Sequence, residues 1–252
     1  MKTGLKKLDK VLGEIEGGQV IVVANRPIVN HRTFLLQVLL NSTDIQQLHS
    51  AYYSVECSNM WLLHELIRIK AGLKSFGLSK KYNTEDYAKI GEATHKVYKL
   101  VYETYKLELF DEINTTISDI AENIEWCSKG SFFENPYDLV MIDYLQYLDD
   151  KNNKEYKEYN KKNEGLLQHL KQIATQFNIP IIVSTGVCKK VENKQDLKID
   201  LQDITINNVT KYADKIIAID EDIKGKSTIN VLHNKNGNTG CVNLQFTKSL
   251  YK

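Results

Sequence analysis

The sequence predicts an α/β fold: a mostly parallel, twisted sheet flanked by helices, with a C-terminal antiparallel hairpin. Three observations predict it. Short runs rich in Val and Ile recur along the chain, separated by stretches of helical periodicity. The runs are continuously apolar, as strands covered on both faces require. The last two are joined by "NKNGNTG", a turn signal that suits a hairpin.

The elements follow in order. "QVIVVA" (19–24) is the first strand, and "NRPIVNHRT" follows it as a tight loop. A helix comes next, with Phe34, Leu35, Val38 and Leu39 on one face. "SAYYSVE" (50–56) is the second strand. Residues 58–130 read as mostly helical, with no convincing strand before "YKLELFD". "DLVMIDYL" (138–145) is the third main strand. In "EGLLQHLKQIATQF", Leu166, Leu167, Leu170, Ile173, Ala174 and Phe177 share a helical face. "IPIIVST" (179–185), "KIIAID" (215–220), "STINVLH" (227–233) and "CVNLQF" (241–246) complete the strands. Strands alternating with helices give right-handed crossovers and one parallel sheet.

Composition narrows the functional classes. The chain has 252 residues, 42% of them hydrophobic, enough for one sizeable core. The formal charge of +1 gives no whole-molecule field toward nucleic acid or membrane, so any nucleic-acid site must be a local patch. Cys57, Cys127, Cys188 and Cys241 are widely spaced with no CxxC pair, which argues against a zinc site or redox motif. Packed free thiols in a reduced compartment are expected. No stretch reaches about 18 apolar residues, and "MKTGLKKLDK" has no apolar signal core. A cytoplasmic location without membrane attachment is expected.

In such sheets ligands bind beyond the carboxyl ends of the strands. The segments there are "NRPIVNHRT", "VECS" with Glu56, "IDYLQYL" with Asp143, "STGVCKKVE" and "HNKNGNTG". Two acids beside a loop that joins strand to helix suggest a nucleotide site.

Longer stretches carry a specific resemblance. "TGLKKLDKVLGEIEGGQVIVVANRP", "SVECS", "YNTEDYAKI", "LVMIDYLQYL", "LLQHLKQIATQFNIPIIV" and "NKNGNTGCVNLQF" occur in one order. They resemble the RecA-type motor domain of the DnaB family of replicative DNA helicases, nearly end to end. Other RecA-like relatives share the opening, but "IDYLQ" and "NGNTG" favour the DnaB group. The resemblance implies a RecA-like P-loop NTPase core over residues 1–252. It also implies that the family's N-terminal helical domain and linker helix are absent, which disfavours ring formation while leaving self-association open.

Carried over position by position, the family's chemistry is only partly retained. Its phosphate loop places a glycine at Asn30, a lysine at His31 and a hydroxyl residue at Arg32. Those residue types wrap, neutralise and ligate Mg-ATP. Neutral His31 brings no fixed charge at pH 7, and Arg32 repels Mg²⁺. A one-residue slip is the alternative, with Arg32 as the cation and Thr33 as the hydroxyl. Glu56 matches the catalytic glutamate and Asp143 the metal-holding aspartate. The bland reading of either is a strand-end carboxylate that bonds a helix N-terminus. The γ-phosphate sensor position is Gly186, and the positions reaching a neighbouring subunit are His233 and Lys235. Lys235 keeps charge but not the planar fork, and His233 reads more readily as a packed strand-end residue.

The resemblance implies single-stranded DNA contacts from two loops, 149–163 and 188–198. The first carries lysines among tyrosines, a pattern that suits backbone tracking with base stacking but also a solvated loop. The second carries Lys189, Lys190 and Lys194. The expectation is therefore a DnaB-like domain defective in ATP hydrolysis, with no cofactor or weak Mg-ATP. It would bind single-stranded DNA, a replicative helicase, or another replication or mobile-element protein. The alternative is an active, atypical helicase ATPase using Arg32, Thr33, Glu56 and Asp143.

Overall fold

Eight strands form one sheet in the order β3-β2-β4-β5-β1-β6-β7-β8. The structure is a computed structural model that describes residues 1–26, 31–74, 81–129, 136–148, 159–188, 198–221 and 227–244. In chain order the elements are α1 (Lys6–Leu12), β1 (Val20–Asn25), α2 (His31–Leu40), β2 (Ser50–Ser54), α3 (Asn59–Ala71) and α4 (Thr84–Tyr98). Then come β3 (Leu107–Phe110), α5 (Ile117–Ser128), β4 (Leu139–Asp143), α6 (Tyr159–Phe177) and β5 (Ile181–Gly186). The short α7 (Val209–Tyr212) leads into β6 (Lys215–Glu221), β7 (Ser227–Asn234) and β8 (Gly240–Asn243).

Strands β1 to β6 pair in parallel, and β7 and β8 add antiparallel at one edge. That is the predicted sheet and hairpin. The continuous apolar runs have the predicted cause, because every residue of β1, β2 and β4 is buried. Side chains alternate between faces. Ile21, Val23, Tyr52, Met141 and Ile217 face α2 and α3 through Phe34, Leu36, Leu62 and Leu66. Val20, Val22, Ala24, Val140 and Val183 face α5 and α6 through Ile120, Leu166, Leu167 and Leu170. Truncating a fully buried leucine such as Leu66 to alanine costs about 2–5 kcal/mol in cores of this kind.

Local signals set the helix ends. The Ser58 hydroxyl accepts from Trp61 N at the start of α3, and Gly72, with φ 68°, ends it. Thr116 and Asp119 form a capping box on α5. The turn before β1 needs glycine. Gly18 has φ 79°, and a Cβ on Gly17 would sit 2.3 Å from the carbonyl oxygen of Asn178.

Within the mostly helical segment 58–130, the "YKLELFD" stretch holds a strand, β3, which pairs in parallel with β2 at the sheet edge. At four residues, with only Leu107 fully buried, β3 leaves a weak pattern. One reading needs correction: the loop drawn over 149–163 is helical from Tyr159 onward, which puts Lys161 and Lys162 on α6. Asn163 explains the early start: its side chain is buried and donates to Thr205 O at 2.7 Å, anchoring the first turns. Residues 149–158 lie outside the described residues.

Candidate functional site

Parallel pairing gathers the carboxyl ends of β1, β2, β4 and β5. Ser54 stands opposite Asp143, and Asn25 opposite Gly186. α2 begins in the same place with His31 and Arg32.

Asp143 is the centre. It is 0% exposed and is held by side chains from three directions. Arg32 Nε donates to Oδ2 at 2.6 Å, and Tyr52 OH donates to the same oxygen at 3.2 Å. Ser184 Oγ donates to Oδ1 at 2.5 Å, and His31 Nε2 lies 3.2 Å from it. The same guanidinium reaches Glu56, with Nη2 2.6 Å from Oε2. Arg32 therefore bridges both retained acids, and its guanidinium carbon lies 5.6 Å from the centre of the Trp61 ring.

The electrostatics follow from this packing. Burial pushes the Asp143 carboxyl up, but His31, Arg32 and the Ser184 hydroxyl outweigh it and hold it well below the usual carboxylate range. Burial opposes the Arg32 charge, and Asp143 more than compensates. Tyr52 is pushed up by burial and by the Asp143 charge, so its hydroxyl stays a donor. The thiol of Cys57 is raised by burial against the opposing pull of Arg32.

A second layer orients the first. Asn25 Nδ2 lies 3.0 Å from His31 Nδ1 and donates to Tyr144 OH at 2.6 Å. The Tyr144 ring stands edge-on to His31, with centroids 5.2 Å apart.

The other predicted site residues fall in several places. The hydroxyl of Thr33 turns away from the acids and accepts from Arg68 Nη2 at 3.2 Å. Asn30, Lys189, Lys190 and Lys194 lie outside the described residues. Gly186 ends β5 beside the cluster. His233 and Lys235 lie at the other end of the sheet. His233 pairs with Ile216 near the start of β6, and Lys235 N donates to Asp214 O at 2.9 Å. Within one chain they do not meet Asp143. Sequence reasoning missed Ser184, Tyr52, Asn25 and Tyr144 as partners. The available signal was a polar atom inside each apolar run, since a buried hydroxyl or amide needs a partner.

Beside the cluster lies a cavity of about 460 Å³, lined by Arg32, Glu56, Tyr144, Gln146, Tyr147 and Gly186 among others. Among the described residues no group of His, Cys, Asp and Glu is spaced to hold a metal ion. No described helix is long and apolar enough to cross a membrane.

Comparison with known proteins supplies the context. Residues 1–252 match the family described as DnaB-like helicase C terminal domain. The replicative DNA helicase DnaB of Geobacillus stearothermophilus is 23% identical over 99% of this chain and 55% of its own length. A probable plasmid replicative DNA helicase of Chlamydia trachomatis is 25% identical over 99% of this chain and 53% of its own. This chain thus spans about half the length of these curated relatives. Among solved structures, an isolated ATPase domain superposes with a TM-score of 0.85 at 20% identity, covering 98% of this chain and 88% of that one. A DnaB-like replicative helicase described with its interactions with primase gives 0.86 at 19%, covering 99% and 60%. With the family match running over its whole length, the chain belongs to the DnaB-like helicase C-terminal domain family.

Proposed function

We propose that this DnaB-like domain is defective in ATP hydrolysis and works as a binding module for single-stranded DNA or a replication protein. One observation carries the reading: Arg32 bridges Asp143 and Glu56 at 2.6 Å each. A residue that must coordinate Mg²⁺ and a residue that must polarise water are both neutralised by the chain's own cation. The residues present do not fit Mg-ATP. The cation stands where a hydroxyl ligand is expected, and the Thr33 hydroxyl bonds Arg68 instead. Displacing Arg32 would leave Asp143 buried without the guanidinium that pairs with it, a costly state. The primase named with one solved relative supports a replication protein as one partner class.

The test is calorimetric titration of Mg-ATP into the protein, with phosphate release measured with and without single-stranded DNA. No saturable heat up to millimolar nucleotide and no release is the expected result. Saturable binding with DNA-stimulated release would overturn the reading. DNA binding is tested with a Lys189→Ala/Lys190→Ala variant and a salt series. Weakened binding and a negative salt slope are expected of a phosphate contact.

The second reading, an active atypical ATPase, is favoured by the position of Glu56 and Asp143 at neighbouring strand ends. It requires Arg32 to swing away from both acids. Glu56→Gln would then abolish turnover while nucleotide affinity stayed nearly unchanged.

A further inference from the structure

We propose that the cavity between the ends of β4 and β5 takes a single unstacked nucleobase. This rests on the proposed single-stranded DNA binding. It adds a direct contact to a base where the lysine-rich segments imply contact to phosphates.

The cavity's size, about 460 Å³, lies in the range of sites for small ring ligands. Its walls supply flat faces. The Tyr144 ring is fixed by the hydrogen bond from Asn25 and by its edge contact with His31. The half-exposed Tyr147 ring stands at 62° to it, with centroids 6.0 Å apart. Tyrosine faces bind bases by stacking, with little regard to sequence.

Gln146 sets the polarity. Its amide nitrogen donates to the hydroxyls of Thr185 at 2.6 Å and Thr205 at 3.2 Å. Its carbonyl Oε1 is buried and has no donor among the described residues. Because that oxygen is sealed from solvent, it accepts an N–H from the ligand only after the Gln146 side chain turns toward the cavity. Nucleobase edges carry N–H groups, and ionised phosphates do not. Charge points the same way. The guanidinium in the cavity wall, Arg32, is already paired with Glu56 and Asp143, so its charge is spent before a phosphate arrives.

Gly186 keeps the space open. A Cβ there would meet Gln146 Nε2 and Tyr144 Cε1 at 3.7 Å, ordinary contact, so a longer side chain would extend from that point between the two walls. The resemblance makes this the γ-phosphate sensor position, and glycine supplies no side chain to sense with. The residue that removes the sensor thus also opens the cavity.

The test uses a thymidine dodecamer with one central 2-aminopurine, binding read by anisotropy and base environment by emission. The full chain is compared with Gly186→Gln, which fills the cavity, and Tyr147→Ala, which removes an exposed wall and leaves the core intact. A separate titration uses free 2-aminopurine deoxyriboside. Expected are a change in emission on binding, its loss in Gly186→Gln, and affinity about five- to ten-fold weaker in Tyr147→Ala. If the strand binds with the same affinity and emission in wild type and Tyr147→Ala, the base site is overturned and DNA binding stands. If the strand does not bind at low salt but the free deoxyriboside does, blocked by Gly186→Gln, the cavity stands as a free-nucleoside site and the strand reading falls. If neither binds, both are overturned.

Discussion

The two ends of the sheet hold their charges in different ways. At the amino ends of the strands, the charges of Lys215, Lys171 and Asp214 are each also tied to backbone. Lys215 Nζ donates to Leu12 O at 2.9 Å and also reaches Glu14 O. Lys171 bonds Gly18 O and Asp214, and Asp214 in turn accepts from Val20 N at 2.8 Å. These contacts stitch the N-terminal arm and α6 to the sheet. At the carboxyl ends, charges are tied to one another: Arg32 to Asp143 and Glu56, with the His31 ring also against Asp143. A charge that satisfies backbone groups is part of the scaffold. A cluster of opposed side chains at a ligand-binding edge has the form of a site filled by its own residues.

That contrast can be attacked directly, with the largest effect expected at Asp143. Asp143→Ala leaves Arg32 half-paired, takes the carboxylate acceptor from Tyr52, and leaves Ser184 only its long bond to Ile142 O at 3.5 Å. A loss of about 3–5 kcal/mol in urea unfolding is expected. A loss under about 1 kcal/mol, the scale of an exposed pair, would mean the cluster is not held together by this acid. At the other end, Asp214→Ala removes the acceptor of Val20 N and the partner of Lys171. A loss of about 1–3 kcal/mol is expected, with ligand binding unchanged.

Acid titration sharpens the comparison. The folded Asp143 carboxyl is held below its ordinary range, so the unfolded chain binds more protons in acid. Its contribution is fully present above roughly pH 4 and is lost as pH falls toward the folded value. Wild-type stability should therefore fall more steeply between about pH 4 and pH 2 than that of Asp143→Asn. Equal slopes in urea melts would refute the coupling.

Restoring the family's residue types asks whether the filling is the cause. In His31→Lys/Arg32→Thr, the internal cation leaves and a lysine and a hydroxyl return. Calorimetry should then detect tighter Mg-ATP binding than in the wild type. Binding no tighter than the wild type's would refute the idea that Arg32 fills the site. The smallest effect belongs to the exposed pairs on α4. Lys89→Ala breaks its contact with Glu85 and should leave the urea midpoint unchanged within error.

Much of this was legible in the residues, and for identifiable reasons. β1, β4 and β5 are apolar on both faces, so their runs stand out without any partner being known. β3 carries Glu108 between two leucines, which blurs its pattern. At the site, the sequence located Glu56 and Asp143 at strand ends and marked Arg32 as incompatible with Mg²⁺. It did not reveal that Arg32 grips both acids. That contact spans separations of 24 and 111 residues, which only the crossovers bring together. Ser184 and Tyr52 were hidden for a related reason: within an apolar strand a hydroxyl reads as filler until the neighbouring strand supplies its carboxylate.

The guanidinium of Arg32 touches the start of α2, the end of β4 and the segment leaving β2. In mechanical terms it is a rivet through three parts of the chain. The fastener is itself covalently part of the chain, so these ends are held to one another by a residue the fold always carries.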